Sequence, residues 1–486
     1  MRTRPRARTT TAVLAATALA AAAVTVLSTG GGATASSGPE PGAESAGDRL
    51  FPYLGNGGYD VASYDVAFDY RPGETAMRSA VRITASARQA LSRFSLDSAG
   101  QAIRDVTVDG RRARFAAHGE KLVVTPERAV RKGARFHVEI GYTADRTANP
   151  PSPASPDSPP HLGNWYNKDD GFVLFGQPDR AHLFFPMNDH PADKATVTFR
   201  VTVPKDLQVA ANGTLRSRST SRGRTTYVYG TRDPIPTQVV QVAVGRFRQV
   251  RQTGPHGLPL TSFITTGSYE KAKPSVRLIP SQVAWVEKQI GARYPFEAYG
   301  VLGVKGGYAA AFESAGLSTF SAEAGLTKPE ETPTMVHELV HQYFGNAVSE
   351  KSWDDMWISE GHATYYTLLY KDEKGFEKLA DSVRRAYTYD QDTRGTTGPP
   401  GRLKDPLDLL GSTNAPGFLM LYGLRLKVGD ATFRAIERTF FEKYRHKAAS
   451  TQDFVDVANA VSHRDLTAYI TSWIYGAETP PMPAAS

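Results

Sequence analysis

Between about Gly57 and Arg251 the chain alternates apolar and polar residues with a period of two. The pattern is clearest where Val197, Phe199, Val201 and Val203 interleave with Thr196, Thr198, Arg200 and Thr202. After about Pro255 helical spacing replaces it: Phe433, Ile436, Phe440 and Tyr444 lie on one face of a segment that opens after Asp430. Side chains that alternate across a strand do not line up along a helix, so the two stretches must fold differently. The expectation is an α+β multidomain chain, with an all-β domain over 49–254 and a mixed domain with a helical lobe over 255–480. Residues 481–486 read as a tail. The proline-rich run 148–160 reads as a long surface loop, because strand-like patterns continue on both sides of it.

With 486 residues, 40% of them apolar, the chain can bury real cores. It has no cysteine, which excludes disulfides, thiolate metal sites, cysteine nucleophiles and a lipidated cysteine. Any metal site must therefore be built from His, Asp and Glu. Residues 1–35 read as a secretory leader: Arg2, Arg4, Arg6 and Arg8 precede an Ala-rich apolar run, and Ala33-Thr34-Ala35 forms a small-residue cleavage site. The run is short for a bilayer span, and no later stretch is long and apolar enough to be one. A secreted, extracellular protein free of the membrane is expected, starting near Ser36, with 36–48 as a flexible Ser/Gly/Pro/Glu-rich linker. Loss of the four leader arginines lowers the formal charge from +8 to about +4, so no nucleic-acid partner is expected.

The most specific local signal is His337-Glu338-Leu339-Val340-His341. On a helix, residues four apart share a face, so both imidazoles can converge on one ion with Glu338 beside them. Thr332 and Pro333 read as an N-cap and first helical residue, which places the motif inside a helix. Glu360, in a second predicted helix, completes a His/His/Glu set with one open position, the donor set of a catalytic Zn²⁺. Glu338 is then the general base, taking a proton from water and returning it to the leaving amine. His362 lies two residues past Glu360 and points away on a helix, so it reads as a packing or surface residue.

With eighteen residues between His341 and Glu360, and Asn346 in Phe344-Gly345-Asn346, the sequence resembles the aminopeptidase N family of gluzincins. Phe185-Pro186-Met187-Asn188-Asp189-His190-Pro191 with Lys194-Ala195, then Val203-Pro204 and Asn212-Gly213, is similar to that family's N-terminal-domain signature. The resemblance implies a β-saddle domain followed by a thermolysin-like catalytic domain, in a short form without the C-terminal helical domain of larger relatives. It also implies that Glu313, in Ala310-Ala311-Phe312-Glu313-Ser314, pairs with the substrate's α-ammonium, and that Gln177 helps bind it. The family's oxyanion-binding tyrosine falls, without gaps, at Asn414; Tyr387, Tyr389 and Tyr422 offer substitutes, none of them assigned.

The resulting expectation is a monomeric zinc aminopeptidase with one Zn²⁺ per chain, acting on peptides with a free N-terminus. Two other readings stand beside it. Asn414 and the altered exopeptidase motif suit a zinc-containing peptide-binding protein with weak turnover, and an open cleft suits an endopeptidase.

Overall fold

The computed structural model describes residues 38–154, 165–168, 171–305, 311–328 and 332–483. The leader expected over 1–35 and residues 155–160 of the proline-rich run lie outside the described residues. The first half is β-rich, as its period predicts. Its largest sheet has eight strands, in the order Thr214–Ser221, Arg224–Gly230, Thr196–Pro204, Tyr59–Asp69, Ala76–Ala87, Arg135–Asp145, Gln101–Val108 and Arg111–Arg112. Val197, Phe199, Val201 and Val203 all point into the core. In Tyr59–Asp69 the buried positions switch from Tyr59 and Val61 to Tyr64, Val66 and Phe68. The register shift between Val61 and Ser63 accounts for the switch, since one extra residue reverses which parity faces inward.

The second half builds a five-stranded sheet ordered Phe247–Thr253, Pro259–Thr265, Val301–Val304, Ser318–Ser321 and Ala311–Phe312. The strand Phe247–Thr253 runs antiparallel to Pro259–Thr265, so the break expected at 254/255 falls inside a hairpin. The change of sheet comes just before Phe247, and sequence periodicity misses it because the strand pattern continues across it.

Ten helices are described: α1 (Tyr269–Val276), α2 (Ile279–Ile290), α3 (Thr332–His341), α4 (Trp357–Glu373), α5 (Leu379–Thr397), α6 (Leu409–Ser412), α7 (Asn414–Val428), α8 (Asp430–Tyr444), α9 (Thr451–Ser462) and α10 (Thr467–Tyr475). Helix α8 buries Phe433, Ile436 and Phe440, as its spacing predicts. Helix α4 packs against both α3 and α7. None of the described helices is long and apolar enough to cross a membrane.

The linker expected over 36–48 is not free from Pro39 onward. Glu40 N–H donates to Ala90 O (2.9 Å) and Gly42 N–H to Arg93 O (2.9 Å), which lays the segment beside the strand Leu91–Asp97. The Asp48 carboxylate is buried and accepts from Leu50 N–H (2.8 Å), Phe51 N–H (3.1 Å) and, across 305 residues, Trp353 N–H (2.9 Å). A composition poor in large apolar residues predicts no anchoring, but these anchors are backbone groups and one carboxylate, which composition does not register.

Burial raises the Asp48 pKa, but the His190 ring and the N–H groups of Trp353 and Phe51 outweigh it and hold the group below its ordinary value. Asp48 therefore stabilises the fold above the unfolded-chain pKa of about 4, and this contribution is lost as pH falls through the lower folded value. Asp48→Ala, which orphans three buried donors, is expected to cost about 2–4 kcal/mol in urea denaturation at pH 7. The difference from wild type should shrink below about pH 4; a pH-independent difference would show that the carboxylate's charge is not involved.

Candidate metal centre

Helix α3 carries the motif and α4 carries Glu360. His337 Nε2 lies 3.6 Å and His341 Nε2 3.8 Å from the same oxygen, Glu360 Oε2. The three ligand atoms all fall within 4.8 Å of one another. Ligands about 2.0–2.1 Å from a tetrahedral Zn²⁺ stand roughly 3.3–3.4 Å apart, so the two histidine-to-carboxylate separations need a few tenths of an ångström of contraction to suit the ion.

The surroundings fit as well. Burial drives the His341 pKa down to about 3, against the opposing pull of Glu360, so the ring is the neutral imidazole that a metal requires. With Nε2 turned to the cluster as an acceptor, Nδ1–H donates to Ser359 Oγ (2.9 Å), and Ser359 O–H donates to Phe344 O (3.3 Å). This relay fixes the tautomer and the ring plane.

Glu338 projects beside the cluster with only 4% of its surface exposed, and its Oε2 has no partner among the described residues. Burial, then Glu313, then Glu360 raise its pKa well above the ordinary carboxylate value. Glu313 follows the edge strand Ala311–Phe312 directly. One of its oxygens, one of Glu338 and a nitrogen of His341 also lie within 4.8 Å of one another. Gln177, from the first half of the chain, donates Nε2–H to Glu313 Oε1 at 2.6 Å. Burial raises the Glu313 pKa too, against the Gln177 bond and the charge of His337. His337, His341, Glu360, Glu338, Glu313 and Gln177 thus meet in one place.

Asn414 reaches the cluster differently from the sequence reading. It opens α7, and its Nδ2–H donates to Glu360 Oε2 (3.0 Å), so at least one donor of the amide is engaged by the carboxylate. Among the alternatives, Tyr389 is solvent-exposed, Tyr422 is tilted against Phe418 and Tyr387 packs on the core. His362 is fully buried, stacked 4.0 Å from Phe344, with Nδ1–H donating to Ile358 O (2.6 Å).

Several positioning groups have contacts that the sequence did not disclose. Gln342 Nε2 (3.0 Å) and Asn346 Nδ2 (2.5 Å) both donate to the Glu313 carbonyl, tying the edge strand to the end of α3. Lys194 Nζ donates to Asn346 O (2.7 Å) and Ala347 O (2.8 Å) from the first half. Asn346 and Lys194 stood in motifs matched by resemblance, but their partners could not be read from spacing. Gly345 sits at φ +117°, and a Cβ there would lie 2.3 Å from Ser359 Oγ.

A family model for the Peptidase family M1 domain matches residues 276–473, and one for the Peptidase M1 N-terminal domain matches 61–239. Among solved structures, the M1 zinc metallopeptidase from Deinococcus radiodurans superposes with a TM-score of 0.80 at 28% identity, covering 90% of this chain and 98% of that one. A mutant of that protein bound to a Tyr-Ser-Ala substrate gives 0.81 at 28% identity, covering 91% and 100%. A two-domain M1 zinc metallopeptidase mutant bound to L-arginine gives 0.80 at 28% identity, covering 91% and 100%. Leucyl aminopeptidase of Saccharolobus solfataricus is 24% identical over 63% of this chain and 41% of its own length. For glutamyl aminopeptidase of Homo sapiens the values are 24%, 61% and 33%. The chain thus spans well under half of these two relatives.

Gly345→Ala is expected to cost about 2–3 kcal/mol, from a strained positive φ plus displacement of Ser359. In a Ser359→Ala background the cost should fall by about 1 kcal/mol, because the clashing hydroxyl is gone. Urea denaturation of the double-mutant cycle checks this; strict additivity would show that Gly345 does not act on Ser359.

Proposed function

Because this chain belongs to peptidase family M1, we propose that it is a secreted zinc aminopeptidase that hydrolyses the N-terminal peptide bond of peptides. The observation that carries this reading is the Glu313 carboxylate, buried within 4.8 Å of Glu338 and His341, with no lysine or arginine ion pair among the described residues. Such an anion beside the reacting groups suits an α-ammonium one residue from the scissile carbonyl. The related metallopeptidase that holds L-arginine, a free amino acid, supports the same reading.

His337, His341 and Glu360 would hold one Zn²⁺ per chain. When bound, zinc supplies Lewis-acid chemistry, polarising a carbonyl and bringing the pKa of water toward about 7. The protein's own residues do the rest. Glu313, oriented by Gln177 and by the clamp of Gln342 and Asn346 on its carbonyl, fixes the substrate's register. The unpartnered Glu338 Oε2 accepts a proton from the attacking water and returns it to the leaving amine nitrogen. Export is read from the leader composition of residues 1–35, and a protein recovered from culture medium should begin near Ser36. The enzyme is read as a monomer.

An endopeptidase reading gives the buried Glu313 nothing to pair with, since internal peptide bonds present no ammonium. The peptide-binding reading rests on the missing tyrosine at 414.

The test uses aminoacyl fluorogenic amides and their N-acetylated counterparts, with and without chelator. Only the free-amine substrates should be cleaved, and chelation should abolish cleavage. Glu338→Gln should lose about 10²–10⁴-fold in kcat with bound zinc unchanged, and Glu313→Gln should weaken free-amine substrates selectively. Equal cleavage of acetylated substrates would favour the endopeptidase; bound zinc with no hydrolysis would favour the binding protein.

A further inference from the structure

We propose that Asn414 is a positioning residue for Glu360, holding the carboxylate end of the metal-ligand set, and is not an oxyanion donor. The inference rests on the zinc reading above and concerns how this chain keeps that site assembled. The oxygen that Asn414 Nδ2–H meets at 3.0 Å, Glu360 Oε2, is the one that faces both histidine Nε2 atoms at 3.6 and 3.8 Å. A carboxylate only accepts, so the amide must turn its nitrogen toward it. The amide oxygen is buried and has no partner among the described residues, so the Glu360 contact is the hydrogen bond that fixes this side chain.

The helix packing shows how so short a side chain reaches. Gly361 follows Glu360 on α4, and Gly417 lies three residues after Asn414 on α7. A Cβ at Gly361 would stand 2.8 Å from Gly417 Cα, and one at Gly417 would stand 2.7 Å from Gly361 Cα. With no side chain on either glycine the two backbones touch, closer than helices kept about 8–10 Å apart by larger residues. That contact sets the first turn of α7 against the ligand-bearing turn of α4. Asn414, one turn before the contact, then meets the carboxylate one residue before it.

A donor on a ligand oxygen orients it and restricts the rotamers it visits when the metal leaves. Outer contacts of this kind typically change metal affinity by about 10–100-fold when removed. An oxyanion donor would act differently, costing about 10²–10³ in kcat and leaving affinity alone.

The experiment compares full-length wild type with Asn414→Ala and with the similarly sized Asn414→Leu, each checked for fold by circular dichroism and thermal melting. Zinc affinity is read by competition with a chromophoric chelator, and kcat and KM at saturating zinc. The expected result is a 10–100-fold weaker zinc affinity in both variants, with kcat at saturating zinc within about tenfold of wild type. Unchanged zinc affinity overturns the proposal, whether or not kcat falls. Wild type that binds no zinc overturns the metal reading together with this inference, whereas wild type that binds zinc without hydrolysis removes only the aminopeptidase reading.

Discussion

Three carboxylates, Glu313, Glu338 and Glu360, are buried together, and among the described residues no lysine or arginine forms an ion pair with any of them. Among the described residues their close basic neighbours are His337 and His341, and burial keeps the second of these neutral. Isolated buried charges cost several kcal/mol each, even after relaxation. Such a cluster favours cations supplied from outside. A divalent ion at His337, His341 and Glu360 would answer one deficit, and on the proposed function an ammonium at Glu313 would answer another. Burial raises the pKa values of Glu313 and Glu338, and the neighbouring carboxylates add to the rise at Glu338.

Holding such a cluster against its own repulsion explains the convergence of elements around it. The Glu313 backbone is clamped by Gln342 and Asn346 from the turns that follow α3, and its side chain by Gln177 from the first half. Lys194 reaches from the first half to the carbonyls of Asn346 and Ala347. The β-rich half thus contributes both a site residue and a brace. Behind α4, the buried pair His362 and Glu437 links that helix to α8, and Tyr366 O–H donates to the same carboxylate.

What the sequence disclosed follows from how each signal is encoded. The convergence of the candidate metal set was legible because helical spacing alone brings His337 and His341 to one face, and because Glu360 stands in a second recognisable helix. The β-rich half was legible through its period of two, although the bulge near Ala62 could be seen only in the pairing. The groups that hold the ligands were not legible. Ser359 pairs with His341 through the fold of the Phe344–Asn346 turn, and a serine in a helix carries no mark of its partner. The segment from Pro39 to Asp48 misled because its anchors are backbone hydrogen bonds and a single carboxylate.

Asn414 shows where alignment and geometry part. By resemblance it falls where the family has a tyrosine, but a phenol and a primary amide differ in reach by several bonds, and an amide at the same backbone position cannot arrive at the same point. What it reaches is decided by how close its helix lies to α4, and Gly361 against Gly417 makes that approach close. Pro416 fits the same start, since it occupies the first turn of α7, where a missing N–H removes no intrahelical bond. A short side chain at the start of a tightly packed helix is suited to a neighbour on the adjoining helix, and here that neighbour is the Glu360 carboxylate.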